Sequence, residues 1–160
     1  MPTLPTSVRF FQPEVSKVMF LPTIVAGTLI PTRAEITAGT DLTQEIADLS
    51  GWQVAANMIE TPDMGAKFVG QIAGRIKADN SSITFYADRT ATDVRSTLPR
   101  GQVGYIAFMD GGDVATTGKM DVFPIEVASV GKVRGGDKAL TLTINFAITR
   151  KPAEDVAIPA

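Results

Sequence analysis

The stretch Lys138–Thr149, KALTLTINFAIT, decides the fold class. Leu140, Leu142, Ile144, Phe146 and Ile148 occupy every second position, with Thr141, Thr143, Asn145, Ala147 and Thr149 between them. A period of two turns successive side chains to opposite faces, so this is a strand with one face in a core and one in water. Working outward, DVFPIEVASV (121–130) sets Phe123, Ile125 and Val127 on one face, and GKVRGGDK (131–138) supplies the glycines of a connection between antiparallel strands. The two runs form a hairpin with a loose polar tip. Pro124 has no N–H for a ladder, which predicts a strand start, an edge or a bulge there.

Upstream, SSITFYA (81–87) alternates Ile83, Phe85 and Ala87 with Thr84 and Tyr86, and QVGYIAFMDGGD (102–113) is a short β-rich run closed by glycines. Between them, TATDVRSTLPRG (90–101) carries capping Thr and Asp residues, a shared helical face at Val94 and Leu98, and Pro99 and Gly101 as terminators, which predicts one short helix over Thr92–Leu98. GTDLTQEIADLSGW (39–52) fits two patterns: Leu42, Ile46 and Leu49 make a helical stripe, whereas Thr43, Glu45, Ala47 and Leu49 share one side of a strand. Periodicity alone does not separate them. The first 40 residues hold Pro2, Pro5, Pro13, Pro22 and Pro31 around VSKVMFL (15–21), where Val18 and Phe20 alternate with Lys17 and Met19. Proline inside a helix removes a hydrogen bond, so an extended arm with an embedded strand is expected. Many short strands with one helix predict an all-β, mainly antiparallel sandwich or partly closed barrel.

Composition narrows the chemistry. With 160 residues the chain suits one domain able to bury roughly 70% of its unfolded surface. It has no cysteine and no histidine, which removes disulfides, thiolate metal sites, a cysteine nucleophile and the usual general base. Fifteen basic against 17 acidic residues provide no electrostatic grip for DNA or an anionic membrane. No apolar run reaches the roughly 20 residues of a membrane span, and MPTLPTSVRFF lacks the layout of a signal peptide, so synthesis in the cytoplasm is expected.

The candidate sites are few. In MIETPDMGAKF (58–68), Glu60 and Asp63 flank a Thr61–Pro62 turn, but no third group tunes them as an acid/base pair; Asp63 bonding local backbone with Glu60 solvated is the simpler reading. DGGD (110–113) and GGD (135–137) lack the ligand spacing of a calcium loop and read as turns. Gly70, Gly74, Gly101 and Gly104 form no phosphate-binding fingerprint and read as devices for turns and bulges. NSS (80–82) matches a glycosylation acceptor without a secretion signal, and Ser81, Ser82 and Ser129 have no histidine partner. Trp52 reads as core or interface. No catalytic residue, cofactor or metal is expected. What remains is a β scaffold with strand edges that must be paired, covered or charged; the residues alone point to a self-assembling module.

From about Ala38 to Ala160, the ordered segments GTDLTQEIADLSGW, NMIETPD, SSITFYADR, DVRSTLPRG, MDVFPIEV and PAEDVAIPA resemble the major tail tube proteins of long-tailed bacteriophages, particularly those of actinobacterial phages and prophages. The resemblance implies a β-sandwich closed towards a barrel with one flanking helix, and makes 39–52 a strand leading into Gly51 and Trp52. It implies one tail-tube domain over 1–160, an extended arm over 1–14 and an inter-ring loop region over about 58–75. Glu60, Thr61, Pro62, Asp63, Met64, Lys67 and Phe68 would then serve self-assembly: Pro62 stiffens the turn, Met64 and Phe68 offer apolar contact, and Lys67 meets acid across a ring boundary. Implied partners are further copies in stacked hexameric rings, tail tip or baseplate, tape-measure and terminator proteins, and viral DNA passing through the lumen without specific binding. The implied place is the virion tail. A tail terminator or connector, a type VI secretion-like tube and, from another class, a small-ligand β-barrel or enzyme are the competing readings.

Overall fold

The computed structural model describes residues 1–90 and 92–160; Ala91, in the stretch 90–101 and just before the predicted helix Thr92–Leu98, lies outside the described residues. In chain order the elements are β1 (Lys17–Leu21), α1 (Arg33–Thr37), β2 (Thr40–Asp41), a 3-10 turn (Thr43–Glu45), β3 (Ile46–Ser50), β4 (Val54–Thr61), β5 (Gly70–Ala78), β6 (Ser81–Tyr86), α2 (Val94–Thr97), β7 (Val103–Met109), β8 (Lys119–Val133), β9 (Thr141–Ile148) and β10 (Ala153–Ala157). Among the described residues the strands of these ladders pair antiparallel, and neither sheet closes on itself. The all-β, antiparallel class is therefore as expected.

The contacts cluster in two units. The first comprises Met1–Gln44, Tyr105–Val122 and Ala153–Ala160. Here β1 runs against β7 from Lys17↔Met109 to Leu21↔Tyr105, and β10 pairs the start of β8, with Ala153 opposite Val122. Leu21, Ile36, Ala107, Met109, Met120, Val122 and Ile158 form its core. Val18 and Phe20 are buried as the alternation of VSKVMFL predicts. α1 is a second short helix where the sequence reading had one. Its signal is Thr32–Arg–Ala–Glu35, a capping box in which Thr32 Oγ1 accepts from Glu35 N and Glu35 accepts from Thr32 N at 2.6 Å. In a five-residue helix this cap and the burial of Ile36 both help to hold the turn.

The second unit comprises Glu45–Gly104 and Phe123–Pro152. β6 pairs β9 with Ile83 opposite Ile144 and Phe85 opposite Leu142, all fully buried. β9 also pairs β8 from Ile125↔Ile148 to Val133↔Thr141, and β3 pairs β6. Pro124 is inside β8, not at a start or a sheet edge: it falls between Val122, the last residue opposite β10, and Ile125, the first opposite β9. At this change of partner its missing N–H interrupts neither of those two ladders, and its carbonyl accepts from Thr149 N at 3.0 Å. α2 is capped by Asp93, with Val94 and Leu98 buried. The ambiguous segment 39–52 divides: Thr43–Glu45 is a single 3-10 turn, and only Ile46–Ser50 is the strand that leads into Gly51 and Trp52.

Candidate functional site

β4 and β5 form a two-stranded ribbon of their own. Its register runs from Val54↔Ala78 to Thr61↔Gly70, interrupted between Ala56 and Met58. Across that step β4 advances two residues, from Ala56 to Met58, while β5 advances three, from Ile76 to Ala73; Gly74 and Arg75 make the bulge. A Cβ on Gly74 would lie 2.9 Å from Asn57 O and 2.7 Å from Ile59 Cδ1, so the close crossing there requires glycine.

Two consecutive left-handed residues aim the ribbon. Gly51 (φ 83°) and Trp52 (φ 64°) turn the chain out of β3 and into β4. A Cβ on Gly51 would sit 2.3 Å from Asn80 O. Trp52 takes a conformation that costs a non-glycine residue about 1–2 kcal/mol, and the surroundings hold it there. Its backbone N–H donates to Ser81 Oγ at 3.1 Å and its Nε1–H to Ser82 O at 3.2 Å. The indole stands edge-on to Phe123, centroids 5.3 Å apart, and at the same separation from Phe146. Asp79 N–H donating to Gln53 O closes the ribbon at its base. Trp52 is thus the half-buried anchor of the ribbon, and Ser81, which the glycosylation and nucleophile readings had singled out, is a buried strut for it.

Register assigns the faces. Side chains opposite each other share a face, so Val54, Ala56, Met58 and Glu60 lie with Ala78, Ile76, Ala73 and Gln71. Ile59 and Ile72 share the other face. Both faces are open: Met58 is 64% exposed, Ile76 61%, Ile72 56% and Ile59 49%. The sequence-predicted residues cluster at the far end. Glu60 and Thr61 finish β4, and Thr61 Oγ1 donates to Gly70 O across the last pair at 3.1 Å. Pro62, Asp63 and Met64 lead the turn, and Lys67 and Phe68 bring the chain back. Asp63 Oδ1 accepts from Gly65 N at 2.7 Å, the local turn bond read from the sequence, while Glu60 is exposed. Met64 and Phe68, the latter 82% exposed, contact no core.

The sequence reading missed the ribbon itself, with Met58, Ile59, Ile72 and Ile76. Its apolar residues do not alternate cleanly, because both faces carry them and a bulge breaks the period. The remaining candidates are structural. Asp113 of DGGD forms a two-toothed pair with Arg33 at 2.5 and 2.8 Å, which lowers the Asp113 pKa, and Gly112 supplies the left-handed residue of that turn. Asp93 accepts from Arg95 N, Asp88 N and the Arg95 guanidinium; the guanidinium bonds above all hold its pKa down to about 2.

The ribbon and its turn thus carry open apolar side chains, the kind of surface through which chains associate. The chain belongs to the phage tail tube protein family, whose model matches residues 4–160, and so includes most of the stretch before Ala38, ahead of the segments that carried the resemblance. This places it among bacteriophage virion proteins of the tail, which are structural and not enzymes. In fold it is similar to the sheath/tube terminator of an extracellular contractile injection system, PVC, at 10% identity and a TM-score of 0.62, covering 91% of this chain and 96% of that one. It is also similar to the SPP1 tail tube, at 14% identity and a TM-score of 0.58, covering 91% and 80% respectively. No curated protein sequence matches.

Proposed function

We propose that copies of this chain assemble into stacked hexameric rings that form the tail tube of a long-tailed phage of the actinobacterial type, a conduit through which viral DNA leaves for the host cell. The observation that carries this reading is the β4–β5 ribbon: exposed apolar side chains on both faces, an anchor at Trp52, and no cover within one copy. Exposed apolar surface on a strand pair whose outer edges are open is an invitation to another chain. Chain 1–160 acts as one tail-tube domain; residues 1–14, which carry exposed Leu4, Val8, Phe10 and Phe11, are an arm that settles on a neighbouring copy. The region 58–75, with Glu60, Thr61, Pro62, Asp63, Met64, Lys67 and Phe68, joins one ring to the next.

The mechanism is conduction without turnover. DNA carries one negative charge per roughly 1.7 Å of axis, so clustered Lys and Arg on the bore would brake it by counterion release. The bore is net negative or neutral, and DNA passes without specific binding. The protein is made in the host cytoplasm and meets tail tip or baseplate, tape-measure and terminator proteins during assembly.

Electron microscopy of the concentrated chain, alone and seeded with tail-tip complex, tests this reading. Hollow rods of constant diameter are expected, and dispersed particles under both conditions would overturn it. A second reading, a tail terminator, is suggested by the fold likeness to the PVC terminator; it predicts single rings that do not extend.

A further inference from the structure

The DGGD stretch (110–113) holds a junction that the tube reading does not use. Asp110–Gly111 is the single Asp–Gly pair of the chain, and the sequence has no Asn–Gly. An aspartate carboxyl stands one methylene from the backbone, close enough to close a succinimide ring on the nitrogen of the next residue, and glycine puts no side chain in the way.

Asp110 and Gly111 are the central residues of a turn after β7, closed by Gly112 N–H donating to Met109 O at 2.9 Å. Both are exposed. Among the described residues Gly111 N–H has no acceptor, so no intramolecular hydrogen bond has to break before its nitrogen reacts. A Cβ at Gly111 would meet nothing within 4 Å, so the space around that nitrogen is open. Partial burial, then like charge from Asp121 on β8 and Asp155 on β10, raise the Asp110 pKa, which enlarges the fraction of neutral carboxyl, the better acylating form. The cations of this end, Arg33 and Lys17, act on Asp113. Asn80–Ser81, where an amide side chain precedes a small residue, is by contrast shielded: Ser81 is 2% exposed and paired opposite Phe146.

We propose that Asp110–Gly111 is a site of spontaneous backbone rearrangement in the folded protein, through a succinimide to isoaspartate. Gly111 N bonds to Asp110 Cγ while the Cγ–OH bond breaks; the hydroxyl and the amide proton leave as water, and nothing is oxidised or reduced. Water then opens the ring. Attack at Cγ restores aspartate, whereas attack at the former main-chain carbonyl carbon breaks its bond to Gly111 N and leaves the main chain running through Cβ and Cγ. That product replaces the carboxylate opposed by Asp121 and Asp155 with a neutral amide, and its new carboxylate includes the oxygen to which Ser16 Oγ donates at 2.7 Å. The added methylene widens the turn where the N-terminal chain joins β7, Lys17 lying opposite Met109. The site does not depend on the tube reading.

Ageing the purified chain in heavy-oxygen water tests it. Trypsin should release Gly101–Lys119, and in the wild type this peptide should carry isoaspartate and heavy oxygen at Asp110 but neither at Asp113, which is paired with Arg33 and followed by Val114. Gly111→Ala is compatible with the turn, since φ there is not left-handed and the space is open; its circular dichroism and Tm should match those of fresh wild type while both signals are largely lost. Aged wild type should melt below aged Gly111→Ala, and equal melting would overturn the claimed effect on the turn. Absence of heavy oxygen from the folded wild type would overturn the proposal. So would incorporation in the urea-unfolded chain alone, because the turn would then protect the junction, and so would equal incorporation at Asp113 or in Gly111→Ala, because that is general exchange.

Discussion

Two strand pairs in the same unit use similar side chains to opposite ends. In β6–β9, Ile83 faces Ile144 and Phe85 faces Leu142, and all four are fully buried. In β4–β5, Ile59 faces Ile72 and Ala56 faces Ile76, and the isoleucines are about half exposed or more. β6 and β9 are also paired on their outer edges, to β3 and β8, whereas β4 and β5 pair only with each other. The difference lies in what covers the faces: burying an isoleucine is worth roughly 1.5–3 kcal/mol, which β6–β9 gains within one copy and β4–β5 can gain only from another. The first pair holds the monomer together, and the second is free to hold monomers to each other.

The largest effect should come from the buried pair. Phe85→Ala should lower the unfolding free energy by about 3–5 kcal/mol, read by urea denaturation, because it leaves a cavity in a close-packed core. A cost below about 1 kcal/mol would mean that this core is looser than its burial implies. Next comes the joint between the regions. Gly51→Ala combines a left-handed backbone with a Cβ 2.3 Å from Asn80 O, so it should cost more than about 1 kcal/mol and also disturb Trp52 fluorescence. Loss of stability with unaltered fluorescence would separate the joint from the anchor.

Smaller is Asp93→Ala, which removes the N-cap of α2 and should cost about 1 kcal/mol. Asp93 also sets an acid dependence. Its pKa is lowered from 3.8 to about 2 in the folded chain, so the folded state holds the proton less readily than the unfolded one. The stabilisation is complete above about pH 4 and is lost as pH falls towards 2. Asp93→Asn should flatten the acid limb of a stability profile in that window alone. Asp110 has the opposite sign: burial first, then the charges of Asp121 and Asp155, raise its pKa. Its contribution is favourable below the unfolded value and is lost as pH rises, so Asp110→Asn should give a slight rise in Tm at pH 7 and none at pH 3.

The smallest expected change in monomer stability is in the ribbon. M64S/F68S should stay within about 0.5 kcal/mol of the wild type, because neither side chain touches a core, yet rods should vanish. This pairing of a silent monomer with a lost polymer is the sharpest statement of the contrast. A clear destabilisation of the monomer would mean that the tip folds onto its own chain.

Legibility in the sequence follows the same division. β9 announced itself because its core face and solvent face differ, and α2 because Asp93, Val94, Leu98, Pro99 and Gly101 each carry a local signal. α1 also had one, the Thr32–Glu35 capping box, but five residues with a single buried side chain produce no stripe. The ribbon was legible only as its turn, Glu60 to Phe68. With apolar residues on both faces and a bulge at Gly74, it has no period of two to read.

What the amino-acid sequence determined by itself is local: alternation, caps, turn chemistry and the absence of histidine and cysteine, all of which act over a few residues or none. Tertiary structure alone decided which apolar residues stay uncovered and where the chain leaves the sheet. Those outcomes depend on contacts between residues distant in sequence, such as Trp52 with Phe123 and Phe146. Hydrophobicity states that a side chain prefers cover; only the packed fold shows whether its own chain provides it.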